Sequence, residues 1–133
     1  MAQRSDPTIE REERPLAAEF DPAAADCPLE LAISTIGGKW KLLVLRALFL
    51  TGGQRFNALL KSVKDISPKE LTRNLRELEG AGLVVKDGER VELYRLTELG
   101  VSLLPIFRDL GELGARLASK PAPPGGSAFP PHQ

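Results

Sequence analysis

The sequence predicts a mainly α fold with a small β-hairpin: a winged helix-turn-helix with an N-terminal helix and a C-terminal dimerisation helix. Three observations carry this. "SPKE" at 67–70 is a capping box with proline in the first helical slot, and the helix it opens follows another after only a few residues. Two β-favouring runs, "GLVV" and "RVELYRL", flank "KDGE", whose Asp87-Gly88 is a strong short-range hairpin signal. A leucine-rich seam then runs from Leu99 to Leu117 in alternating steps of four and three.

The elements follow in order. Leu29, Ala32, Ile33 and Ile36 fall at i, i+3, i+4 and i+7, one apolar face of a helix that Gly37-Gly38 ends. Trp40, Leu43, Val44, Ala47 and Leu48 repeat the pattern until Thr51-Gly52-Gly53. A short extended piece, Gln54-Arg55, precedes a third helix marked by Phe56, Leu59, Leu60 and Val63 and running to Lys64. Ser67 caps the fourth, which runs to Glu79 on the narrow stripe Leu71, Leu75, Leu78 and stops at Gly80 and Gly82. After a hairpin turning at Asp87-Gly88, Thr97 caps one last helix. Its Leu99, Leu103, Ile106, Leu110, Leu113 and Leu117 form a heptad seam, the pattern of a helix–helix contact between two subunits. Gly100, Gly111 and Gly114 weaken that helix intrinsically, so packing has to stabilise it.

A chain of 133 residues holds at most one domain. Residues 1–26 are acidic and rich in Pro and Ala, a disordered head; 119–133, "SKPAPPGGSAFPPHQ", read as a disordered Pro/Gly-rich tail. Residues 27–118 form the winged helix-turn-helix domain, dimerisation helices included. The formal net charge of zero hides a division, because the head sums to −4 and residues 27–119 to +3. That pattern occurs in nucleic-acid binders.

Several function classes lose support. The apolar run Leu42 to Leu50 is too short to span a bilayer, and the N-terminus has no signal-peptide pattern. A single cysteine builds no disulfide framework, so the cytoplasm is the expected compartment. The one histidine, His132, lies in the tail, which leaves no metal site and no histidine-based triad. With no glycine-rich phosphate loop either, neither a cofactor, a catalytic residue nor an enzyme is expected.

Charge is concentrated where DNA chemistry needs it. From Arg55 to Arg76 six basic residues face only Asp65 and Glu70, a local +4. On the helix after Ser67 the leucines face inward, while Lys69, Thr72, Arg73 and Arg76 share another face. A major groove admits one helix, read by its N-terminal residues. Ser67, Lys69, Thr72 and Arg73 therefore suit base or nearby phosphate contacts, and Arg76 and Arg55 suit phosphate. Free amides of the first turn favour an anion as well. On the hairpin, Lys86 and Arg90 flank the tip as candidate phosphate or minor-groove contacts, with Asp87 and Glu89 offsetting their charge.

Three segments, "CPLELAISTIGGKWKLLVLRAL", "RFNALLKSVKDISPKELTRNLRELEGAGLV" and "YRLTELGVSLLPIFRDLGE", resemble the HxlR family of bacterial winged-helix regulators, relatives of the MarR type. The resemblance covers Cys27 to Leu117. It implies a homodimeric transcription factor on a pseudo-palindromic operator in double-stranded DNA. Terminal helices would form the dimer, and Ser67, Lys69, Thr72 and Arg73 would occupy the recognition positions. One stretch departs: "KDGERVELY" is shorter than the family's usual wing and lacks its proline pair, so no wing residue is carried over.

The resemblance also bears on Cys27. As N-cap before Pro28, a thiolate would feel the positive helix end, while Asp26 and Glu30 oppose it. The residues alone favour an ordinary core cysteine. The family implies a redox-sensing role, since several members answer oxidants, quinones or aldehydes through a cysteine placed here. Two alternatives stand beside this: a regulator responding to a small aromatic ligand with Cys27 inert, and a winged-helix module that binds protein.

Overall fold

The computed structural model describes residues 15–21, 23 and 27–119. One helical turn, α1 (Leu16–Glu19), lies within the segment expected to lack structure. Residues 1–14 and the tail from 120 onward fall outside the described residues.

Helix α2 (Pro28–Ile36) starts with proline at its first position, and the Leu31 amide donates to the Cys27 carbonyl at 3.0 Å. Gly37 and Gly38 separate it from α3 (Lys39–Thr51). Gly38, at φ 99°, holds a backbone that side-chain-bearing residues rarely adopt, so the reversal depends on glycine. Helix α3 runs through the middle of the molecule, with Val44, Leu45 and Leu48 completely buried. Around it pack Leu59 of α4 (Phe56–Ser62) and Leu71, Leu75 and Leu78 of α5 (Pro68–Gly80).

Helix α4 stops short of Lys64. The chain leaves it at Val63, which turns extended and buries its side chain, then passes Asp65 in the left-handed region at φ 69°. Asp is among the few residues that tolerate this conformation. The result is the tight turn of a helix-turn-helix.

The hairpin is wider at its tip than the Asp-Gly signal predicts. Strand β1 (Val84–Asp87) pairs antiparallel with β2 (Leu93–Leu96), Val84 opposite Leu96 and Asp87 opposite Leu93. Asp87 is thus a strand residue, and Gly88 to Glu92 form the loop. Arg95 Nε donates to the Asp87 carboxylate across the ladder at 2.6 Å, which holds Asp87 in the strand. Gly88, at φ 106°, opens the loop at a point where a Cβ would strike the Val91 carbonyl.

The single terminal helix predicted after Thr97 is two helices, α6 (Glu98–Val101) and α7 (Leu104–Ser119). Pro105 explains the break: it has no N–H for the Val101 carbonyl, and its ring crowds that group. The chain tightens there, with Leu103 N–H donating to Gly100 at 3.1 Å before Phe107 N–H reaches Leu103 at 3.1 Å. This turn brings Leu103 and Phe107 onto the core, where Phe107 meets Phe49 edge-on at 5.0 Å. Among the described residues no helix is long and apolar enough to cross a membrane.

Candidate nucleic-acid interface

Helix α5 has two distinct faces. Leu71, Asn74, Leu75 and Leu78 are buried; Lys69, Arg73 and Arg76 are exposed and Thr72 is half-buried. These four outward residues, with Pro68 and Glu77, line a concave surface beside the helix. At its start the capping box is complete. Ser67 Oγ accepts from the Glu70 amide at 3.1 Å, and Glu70 Oε1 accepts from the Ser67 amide at 3.2 Å. A helix so terminated keeps its first turn rigid, with Ser67, Lys69 and Thr72 in fixed relation.

The second Glu70 oxygen does something the sequence did not signal. Oε2 accepts from Trp40 Nε1 at 2.8 Å, and the Lys39 ammonium lies 4.6 Å from the Trp40 ring centroid. Two turns along the same face, Glu77 pairs with Lys41 at 2.8 Å. Both carboxyls are held below their usual range: Glu70 first by the Ser67 backbone hydrogen bond, Glu77 first by the hydrogen bond from Lys41. The two acids nearest the basic face are therefore engaged with α3. Asn74 is also satisfied, its side-chain amide donating to the Glu70 carbonyl at 2.7 Å.

The remaining candidates lie on other elements. Arg55 is exposed at the start of α4. In the wing, Lys86 lies 3.7 Å from Glu92 and 6.0 Å from the Tyr94 ring centroid, while Arg90 is exposed in the loop. The structure thus gathers Lys69, Thr72, Arg73 and Arg76 on one face, while Arg55 belongs to the start of α4 and Lys86 and Arg90 to the wing.

A second surface is apolar. Leu99, Ile106, Leu110, Leu113 and Leu117 of the heptad seam are exposed, as are Leu31 and Ile33 on α2; Leu103 is drawn toward the core. Between α2 and the α6–α7 pair runs an open groove of about 380 Å³, lined by Leu31, Ile36, Leu99 and Ile106 among others. Trp40 is not part of it. Cys27, 7% exposed, sits at the head of α2 with no side-chain capping bond. Among the described residues no cluster of His, Cys, Asp and Glu could hold a metal ion.

The family model for the HxlR-like helix-turn-helix matches residues 35–121. The chain belongs to the HxlR family. As an HxlR-family member it is a transcriptional regulator with a DNA-binding helix-turn-helix fold. An uncharacterized HTH-type transcriptional regulator of Methanothermobacter thermautotrophicus is 43% identical over 98 residues, covering 70% of this chain and 73% of the relative. Among solved structures, the reduced form of the transcriptional regulator YodB from B. subtilis superposes with a TM-score of 0.63 at 28% identity, covering 71% of this chain and 96% of that one. Quinone-bound YodB gives 0.61 at 31% identity, covering 68% and 99%. The redox regulator HypR in its reduced form gives 0.62 at 33%, covering 69% and 94%.

Proposed function

We propose that this HxlR-family chain is a sequence-specific cytoplasmic regulator that binds a pseudo-palindromic operator in double-stranded DNA as a homodimer, with α5 in the major groove. The observation that carries the reading is the two-faced α5: leucines sealed in the core, and Lys69, Thr72, Arg73 and Arg76 presented together on the outside. Lys69, Thr72 and Arg73, with Ser67 at the cap, read bases or adjacent phosphates; Arg76, Arg55 and the wing residues Lys86 and Arg90 contact the backbone.

Two recognition helices must lie about 34 Å apart to meet successive major grooves, which requires a dimer. The exposed seam Leu99, Ile106, Leu110, Leu113 and Leu117 supplies an apolar surface for a second copy. The folded unit is residues 27–118, with 1–26 and 119–133 as flanks.

Cys27 is the proposed sensing thiol. Its place at the head of α2, next to the groove-lining Pro28, and the likeness to HypR and quinone-bound YodB support a redox or electrophile response. With one cysteine, the chemistry is a bridge between subunits, a mixed disulfide or alkylation. The groove along α2 favours a second reading, in which a small aromatic ligand bound there carries the signal and Cys27 is inert.

Fluorescence anisotropy of the reduced protein on duplex DNA from upstream of its own gene, across a salt series, tests the DNA-binding reading. Tight binding with a steep salt dependence supports it. A flat salt dependence, or no binding at low salt, moves the assignment to a protein-binding module. Adding a quinone to the complex separates the two signalling readings: release of wild type but not of Cys27→Ser identifies the thiol.

A further inference from the structure

The leucine contacts of α5 with the core carry no directional bond. Leu71, Leu75 and Leu78 are held by burial, which has no direction of its own. Base reading does not tolerate small rotations of the helix about its own axis. Hydrogen bonds are directional, and α5 has two side-chain anchors of that kind to α3. Trp40 Nε1 donates to Glu70 at 2.8 Å in the first turn, and Lys41 pairs with Glu77 at 2.8 Å two turns on. Lys41 is the more sheltered partner, its side chain 14% exposed against 48% for Glu77. The capping box needs neither anchor, because Glu70 Oε1 already serves Ser67.

The anchors come from adjacent residues at the start of α3, immediately after the Gly37-Gly38 reversal. That reversal joins them directly to α2, which carries Cys27 at its head and lines the apolar groove.

We infer that Trp40 is a positioning residue for DNA recognition: its indole N–H, bonded to the second oxygen of the capping-box carboxylate and seconded by Lys41–Glu77, sets the rotation of α5. This inference rests on the proposed DNA-reading role of α5. Trp40 touches no base or phosphate in it. Its effect is on discrimination between sequences rather than on attraction to DNA.

Two substitutions isolate the bond. Trp40→Phe removes the donor and keeps an aromatic ring. Glu70→Gln keeps an acceptor for the Ser67 amide, since Gln serves in capping boxes, and replaces the oxygen facing Trp40 with an N–H₂ that cannot accept. Glu70→Gln also deletes a negative charge beside the basic face, so electrostatics alone would tighten binding to any duplex. The positioning role requires the opposite on specific DNA.

Anisotropy titrations of wild type, both single variants and the double variant, on the upstream duplex and on a scrambled duplex, decide the matter. Each single variant should lose about fivefold in affinity for the upstream duplex. Neither should lose affinity for the scrambled one, and the double variant should be no worse than either single one. Unchanged or tighter binding of Glu70→Gln to the upstream duplex, or additive losses in the double variant, overturns the inference. Should Trp40→Phe fail to fold, Glu70→Gln decides alone. Wild type that binds neither duplex defeats the DNA-reading role itself, a result distinct from any difference between variants.

Discussion

Gln54 and Tyr94 exchange both backbone hydrogen bonds, at 2.9 and 2.8 Å, so the short extended piece between α3 and α4 docks onto the return strand of the wing. The Gln54 side chain completes the joint. It is 7% exposed, donates to Thr51 Oγ1 at 2.9 Å, and accepts from Ser62 Oγ at 3.0 Å. One residue thus ties α3, α4 and β2 together. Gln54→Ala removes these bonds and leaves buried space, and should cost about 2 kcal/mol of stability. Urea denaturation checks this; a loss indistinguishable from zero would mean that the backbone pairing alone holds the wing.

Glu70 gives the protein an acid-sensitive helix start. Its carboxyl is held below the usual carboxylate range, chiefly by the Ser67 backbone hydrogen bond. A carboxyl depressed in the folded state contributes stability above its unfolded pKa, and that contribution fades as pH falls through the folded one. The melting temperature of wild type should therefore drop further than that of Glu70→Gln on going from about pH 5 to pH 3. Parallel curves for the two proteins would show that the capping carboxylate adds no pH dependence.

The seam on α7 should separate assembly from folding. Leu113 is 51% exposed, so Leu113→Glu removes no core contact. Its circular dichroism should match wild type while sedimentation shows monomer in place of dimer. Operator affinity should fall about a hundredfold, because one half-site contact no longer recruits the other. A Leu113→Glu protein that still sediments as a dimer would put the interface elsewhere.

Arg73 and Arg76 should fail in different ways. Arg73→Ala should weaken operator binding by about 1–3 kcal/mol and relax base preference at one position in each half-site. Arg76→Ala should weaken all sequences alike and reduce the salt slope by about one per subunit. Titrations against a panel of single-base operator variants distinguish the two; an identical profile for both residues would remove Arg73 from the reading face.

Much of this fold is local, and local features were legible. The capping box at Ser67, the glycine pair at Gly37-Gly38 and the leucine stripe of α5 each dictate their own geometry within a few residues. What the sequence concealed depends on chain segments meeting in space. Asp87-Gly88 has the form of a tight turn, but Arg95, eight residues on, draws Asp87 into the strand. The heptad seam ran without a gap through Pro105, because periodicity counts side chains and not backbone donors. Gly100 looked like a weak point in a helix; it is instead where α6 passes the Leu83 carbonyl so closely that a Cβ would collide. Trp40, Lys41 and Gln54 matter through partners that no spacing rule connects: Glu70 lies thirty residues from Trp40.

Dimethyl sulfate probing of the operator complex reports where α5 sits on DNA. The reagent methylates guanine N7 in the major groove and adenine N3 in the minor groove, so one experiment tells which groove is occupied. Two clusters of protected guanine N7 positions, about 10 base pairs apart, are expected from two copies of α5 on a dimer. Full reactivity of guanine N7 in a bound complex, or protection confined to adenine N3, would contradict the placement of α5 in the major groove.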